Sequence, residues 1–211
     1  MGVPQPEVMH TVDEYLSYER QSEERHQYLD GHIYAMAGES LEHSLICTNL
    51  IAELRDQLKG KPCSTLSPNM KVRSGPYKKE NSTNKGMFSY ADVMVVCSQP
   101  VFHDEHRDVL LNPTLIIEVL SPTTEAFDRG DKFLRYRTHI NSLSDYVLVS
   151  QSHPLVEHFQ RQTGGQWLYS SVSGLEASLP LTSIDCYLRL SEVYDRVTFA
   201  PEPETVEAAE R

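Results

Sequence analysis

Residues 114–139, TLIIEVLSPTTEAFDRGDKFLRYRTH, decide how this chain folds. Thr114–Leu120 is a continuous apolar run, long enough for a buried strand and too short for a buried helix. One carboxylate, Glu118, interrupts it. Ser121-Pro122 ends the strand, and the spacing predicts a helix from Asp128 to His139 with Phe133 and Tyr136 on one face. A second apolar strand, Asp145–Ser150 (DYVLVS), follows, so the unit reads strand, helix, strand.

Upstream, Asp92–Cys97 (DVMVVC) is another buried strand, headed by a second carboxylate. Asp30-Gly31 reads as a hairpin turn between strands His26–Leu29 and His32–Ala37. Ser40 is a candidate N-cap for a long helix in which Ile46, Leu50, Leu54 and Leu58 recur every fourth position, until Gly60 and Pro62 stop it. Residues 11–25 read as a short acidic helix, Met70–Arg73 as a strand, and 74–89 and 98–112 as polar loops. Downstream, Val156–Arg161 and Gln166–Val172 form a hairpin around Gly164-Gly165, and a short helix near Ser191–Val197 closes the fold. The expected class is mixed α/β, or α+β: a central mixed sheet flanked by a long helix and a shorter one, with an additional hairpin. Residues 1–200 read as one domain, and 201–211, with four Glu and one Arg, as a disordered acidic tail.

With 211 residues the chain can bury a core without staples, and 39% hydrophobic against 23% charged residues excludes wholesale disorder. No run approaches the roughly 18 apolar residues of a membrane span, and MGVPQPEVMH lacks the basic end and apolar run of a secretory signal. A cytoplasmic location is therefore expected. Cys47, Cys63, Cys97 and Cys186 form no C-x-x-C pair, and all four are read as reduced and structural.

The formal net charge of -11 argues against nucleic acid, but it is unevenly spread. Between 59 and 85 stand Lys59, Lys61, Lys71, Arg73, Lys78, Lys79 and Lys85 against Glu80 alone. This basic segment directly precedes the strand headed by Asp92, which makes it a candidate phosphate-binding surface, with Lys71 and Arg73 the firmest contacts.

Asp92 and Glu118 carry the chemistry. A carboxylate inside an apolar strand is costly unless a cation or donor answers it, and neither strand supplies a basic residue. A shared divalent ion would answer both charges, and hard oxygens with no Cys or His beside them in sequence suit Mg²⁺ or Mn²⁺. Lys132, on the following helix, can reach back over the strand end. Tyr136 lies one turn further on the same face, and Asp128 at i-4 offers Lys132 an ordinary surface ion pair. The HDEHRD loop (His103–Asp108) lacks further ligands at familiar spacings and reads as solvated. Walker-type and G-x-S-x-G motifs are absent.

The segments LDGHIYAMAGESLEH, YADVMVV and IIEVLSPTTEAFDRGDKFLRYR resemble the Uma family of restriction-endonuclease-like proteins, within the PD-(D/E)XK nuclease superfamily. The likeness runs from about residue 10 to residue 197. It implies a central sheet, mainly four-stranded, flanked by helices, and a Mg²⁺-dependent endonuclease acting on DNA. Asp92 matches the motif's first acid, with Ala91 in place of the usual Pro, and Glu118 matches the second. Leu120 stands where the motif lysine is expected, and Lys132 is the migrated candidate. The resemblance makes the Val119 carbonyl a further metal ligand and His43, beside Glu42, a supporting residue. Gln27 stands where relatives carry a Glu, so no third carboxylate is implied. A homodimer is expected, since two related sites most simply cut both strands of a duplex. The alternative reading is a catalytically inactive nucleic-acid-binding or interaction module on the same fold.

Overall fold

The computed structural model describes residues 8–76 and 84–199. Helix α1 (Val12–Glu19) opens on a Thr11/Glu14 capping box. Strands β1 (His26–Leu29) and β2 (His32–Ala35) pair around Asp30 and Gly31, whose φ values of 46° and 102° both lie in the left-handed region that a tight hairpin requires. Ser40 caps α2 (Leu41–Gln57) by accepting the His43 N–H at 3.1 Å, and Ile46, Leu50, Leu54 and Leu58 are all buried. The strands β3 (Ser64–Leu66), β4 (Lys71–Ser74), β5 (Met87–Tyr90), β6 (Val93–Val96), β7 (Val109–Leu110) and β8 (Leu115–Leu120) follow. Helix α3 (Glu125–Phe127) runs through a π-turn at Asp128–Lys132 into α4 (Phe133–His139). The chain then forms β9 (Asp145–Ser150), β10 (Leu155–Arg161), β11 (Trp167–Ser173), β12 (Ser178–Leu181), β13 (Cys186–Arg189) and α5 (Leu190–Val193).

A six-stranded mixed sheet in the order β11-β10-β9-β8-β6-β3 is the centre of the architecture, with β8 parallel to β9 and its other pairs antiparallel. Beside it stands a five-stranded sheet, β2-β1-β5-β4-β7, and β12-β13 is a separate ribbon. The mixed α/β class expected from the sequence is the one observed.

Strand alternation sorts the central sheet's two faces. Leu115, Ile117 and Val119 pack with Ile46, Leu50 and Leu54 of α2. Ile116 and Leu120 pack with Phe133 and Tyr136 of α4. Glu118, between those two, is therefore delivered to the α4 side.

Several expectations are corrected. Residues 87–89, read as the end of a loop, belong to β5; its four residues are all buried, so no polar alternation marks them as a strand. The β12-β13 ribbon was hidden by Pro180 inside its first strand. Cys63 and Cys97 are disulfide-bonded, not reduced, because antiparallel pairing of Ser64 with Val96 sets the two cysteines opposite each other. Cys47 and Cys186 are free and buried, as read. The proposed tail, and Lys78 and Lys79, lie outside the described residues. Among the described residues, no helix is long and apolar enough to cross a membrane.

Candidate active site

Glu118 leaves the central sheet against α4 and meets Lys132, whose Nζ lies 2.9 Å from Glu118 Oε2. The same ammonium donates to Asp128 Oδ1 at 3.0 Å. All three residues are buried, Lys132 at 4% exposure. Lys132, the last residue of the π-turn ahead of α4, thus points inward to Glu118. Tyr136, one turn on, donates its hydroxyl to Glu118 Oε1 at 3.4 Å and is braced by Ser89 Oγ at 2.8 Å. The Asp128 pair, expected to be an ordinary surface contact, is instead part of this buried cluster.

Asp92 sits on the other side of the β8 strand end. Its Oδ2 accepts the Val119 N–H at 2.7 Å, which fixes the first acid one residue from the second. His43 Nε2 lies 3.4 Å from the same oxygen. The ring's Nδ1 is 3.1 Å from Glu39 Oε2, so Glu39, not Glu42, orients it. Cys47 Sγ is 3.5 Å from that nitrogen. Glu39, His43 and Cys47 form a potential metal-holding group whose donor atoms lie within 4.8 Å of one another. No Cys or His adjoins the two acids in sequence, but α2 brings both beside Asp92 in space.

The electrostatics follow from burial. It pushes the Glu118 carboxyl well above the usual carboxylate range, and the Lys132 charge pulls against that shift. Burial also opposes the Lys132 ammonium, but the Glu118 and Asp128 charges outweigh it and hold the amine charged. Burial pushes the Tyr136 phenol up, so it stays protonated and donates. Burial would lower His43, yet hydrogen bonds and charge from Asp92 and Glu39 raise it overall. Burial, with Asp92 and Glu39 nearby, pushes the Cys47 thiol up and keeps it an S–H group, a poor ligand without its thiolate.

Glu118 and Asp128 thus share the buried Lys132, while Asp92, across the β8 strand end, shares His43 with Glu39. Hard carboxylate oxygens at these two places would suit a divalent Mg²⁺ or Mn²⁺ better than a soft metal. Asp92, Glu118 and the Val119 carbonyl are the residues that would hold it.

The basic segment is placed less favourably for phosphate. Lys71 is 5% exposed and pairs with Asp108 at 3.1 Å. Arg73 is half-buried, 6.0 Å from the Phe88 ring centroid, and donates to the Gly75 carbonyl at 3.3 Å. Lys61 is bonded to Asp185. The sequence offered no sign of these long-range partners. Asp108 also binds Arg20, as does Asp104, so the HDEHRD loop is an ion-paired anchor for α1. The double pairing with Arg20 and Lys71 holds the Asp108 carboxyl far below the usual range, against the effect of its burial.

Comparison with known proteins adds the family. Two curated Synechocystis sp. proteins, both described as uncharacterized, are each 32% identical to this chain. One match covers 89% of this chain and 92% of the relative, the other 80% and 90%. A solved structure from Anabaena variabilis, titled a "putative nuclease belonging to DUF820", superposes with a TM-score of 0.69 at 17% identity, covering 88% of this chain and 97% of that one. That likeness shows the fold. The family model described as "Putative restriction endonuclease" matches residues 12–190, and with it this chain belongs to the Uma2 family.

Proposed function

We propose that this chain is a Mg²⁺- or Mn²⁺-dependent endonuclease that hydrolyses phosphodiester bonds of DNA, with Asp92, Glu118 and Lys132 as its working groups. The observation that carries this reading is the buried Lys132 ammonium 2.9 Å from Glu118, with Asp92 held one residue away by the Val119 N–H. A core has no need for such a cluster. Burying two acids around one lysine costs stability that apolar residues of the same volume would not.

The chain's own residues divide the work. Lys132, held charged, stabilises negative charge on the phosphoryl oxygens as the pentavalent transition state forms. Glu118, beside that ammonium, offers its carboxylate as a ligand for the divalent ion. Tyr136 and Lys132 fix the orientation of that carboxylate. The Val119 N–H and His43 do the same for Asp92 from two sides. A divalent ion, when bound, supplies charge relief on the phosphate and a nucleophile at neutral pH.

For duplex DNA, two such sites acting together in a homodimer would cut both strands. With Lys71 buried against Asp108 and Lys61 held in a surface pair with Asp185, the phosphate-binding role falls to the remaining basic residues of the segment, Lys78 and Lys79 among them. The test is cleavage of supercoiled plasmid DNA with Mg²⁺, with EDTA, and by Asp92→Ala. Nicking or linearisation that needs both the ion and Asp92 is expected. A second reading, binding without cleavage, is favoured by Leu120 at the motif position and by a Lys132 already engaged by two acids. Retained DNA affinity with no cleavage under any divalent ion would select it.

A further inference from the structure

A cavity of about 220 Å³ opens beside this cluster, lined by Gln27, Tyr28, Leu29, Tyr34, Met87 and Phe127. The register explains why it lies there. Gln27 pairs with Tyr34 across the β1-β2 hairpin, and Leu29 pairs with Met87 across β1-β5. By alternation Gln27 and Leu29 share one face of this second sheet, as do Met87 and Ser89. Ser89 is the residue that braces Tyr136 against Glu118. At the other wall, Phe127 immediately precedes Asp128, the partner of Lys132. Two lining residues, Met87 and Phe127, are therefore within two positions of residues that bond the acid–lysine cluster.

Its chemistry is specific. Tyr34 and Phe127 present aromatic rings, and Tyr34 is 53% exposed. The half-buried Gln27 amide, a donor and an acceptor together, makes no hydrogen bond to another described residue. The volume lies below the roughly 300–1,000 Å³ of sites for drug-sized ligands, so it admits one ring system and not an extended chain. We infer that this cavity seats a single unstacked nucleobase of the DNA substrate, stacked against Tyr34 and Phe127 and read at its edge by Gln27. This rests on the nuclease reading: the base is the one whose backbone phosphate lies at Lys132 and Glu118. Extrusion of a base is favoured where it is already unpaired, so single-stranded or distorted DNA is the preferred substrate class.

The experiment measures binding, not cleavage. In an Asp92→Ala background, fluorescence anisotropy compares a labelled single-stranded oligonucleotide with an all-abasic oligomer of the same length, and with duplex DNA. The based strand should bind more tightly than the abasic one. Tyr34→Ala should weaken binding of the based strand about 5- to 150-fold, equivalent to roughly 1–3 kcal/mol for one stacked base. Binding of the abasic strand should be unchanged, and Tyr34→Phe should restore the preference. Equal affinity for based and abasic strands, an equal loss on both in Tyr34→Ala, or binding to duplex alone overturns the pocket assignment and leaves the nuclease reading standing. Failure to bind any of the three DNAs overturns both.

Discussion

Replacing Lys132 with Met removes the ammonium that Glu118 and Asp128 both bond while keeping most of the side chain's apolar stem. The carboxyl groups left behind are 2% and 3% exposed, so water cannot replace the lost partner. Breaking a buried pair from one side typically costs about 3–5 kcal/mol. At roughly 2–4 °C per kcal/mol for a chain of this size, the melting temperature should drop by about 6–20 °C. The loss should also depend on pH, with a definite sign. Burial already raises the folded Glu118 above its unfolded value of about 4.3, and removing Lys132 takes away the main opposing pull. Between those two values the folded variant keeps a proton that the unfolded chain has released, so its stability falls as pH rises. Relative to wild type, whose own Glu118 is raised less, the deficit should widen by up to about 1.4 kcal/mol per pH unit between the folded Glu118 values of the two proteins. Urea unfolding at pH 5 and pH 8 reads this directly, and the double variant with Glu118→Gln should recover a large part of the loss. An equal deficit at both pH values, or additivity of the two substitutions within about 0.5 kcal/mol, would show that Lys132 and Glu118 do not form the buried pair described here.

Asp92→Ala should abolish plasmid cleavage while leaving DNA affinity the same or higher, since it removes a negative charge facing the phosphate; a gel-shift titration beside the cleavage assay separates the two. His43→Gln should cost more stability at pH 5.5 than at pH 9. A histidine whose folded pKa is raised contributes fully below its unfolded value and loses that contribution as pH rises through the folded one. Neutralising Lys78 and Lys79 together should flatten the dependence of log affinity on log salt by about 1.8, at 0.9 per duplex phosphate contact. Lys71→Met, by contrast, should leave that slope unchanged and lower the urea midpoint, because its partner is Asp108. Sedimentation at micromolar concentration should give a dimer, and a monomer there would remove the two-site account of double-strand cutting.

What the sequence made legible was set by local physics. The Ser40 cap, the four-residue apolar row on α2 and the Asp30-Gly31 turn each depend on neighbours within a few positions, and each appears where it was expected. The site was legible for a related reason. Glu118 stood out as an acid in an apolar run, and Lys132 and Tyr136 shared a helical face that folds back onto it. Contacts that depend on tertiary register were not readable. Cys63 meets Cys97 only because an edge strand pairs antiparallel with β6. Lys71 looked like a surface cation until Asp108, 37 residues away, supplied its partner. Glu39, four positions before His43, carried no signal of its own, yet it meets the ring's Nδ1 at 3.1 Å.

The position of the lysine follows from the same geometry. Residue 120 lies on the face of β8 that carries Glu118, but it is closed over by the α4 core, where Leu120 is 5% exposed. A lysine at 120 would have to bury its own charge among Met94, Phe133 and Leu148 before reaching the acid. Lys132 approaches from the opposite wall, on a helix whose π-turn at Asp128–Lys132 widens the coil just ahead of it. Such single π-turns gather at functional sites because they re-aim one side chain without ending the helix. Here Asp128, Lys132 and Tyr136 succeed one another at i, i+4 and i+8, and the two that follow Asp128 both reach Glu118. The cation beside Glu118 is therefore anchored at position 132, with Leu120 left in the apolar core.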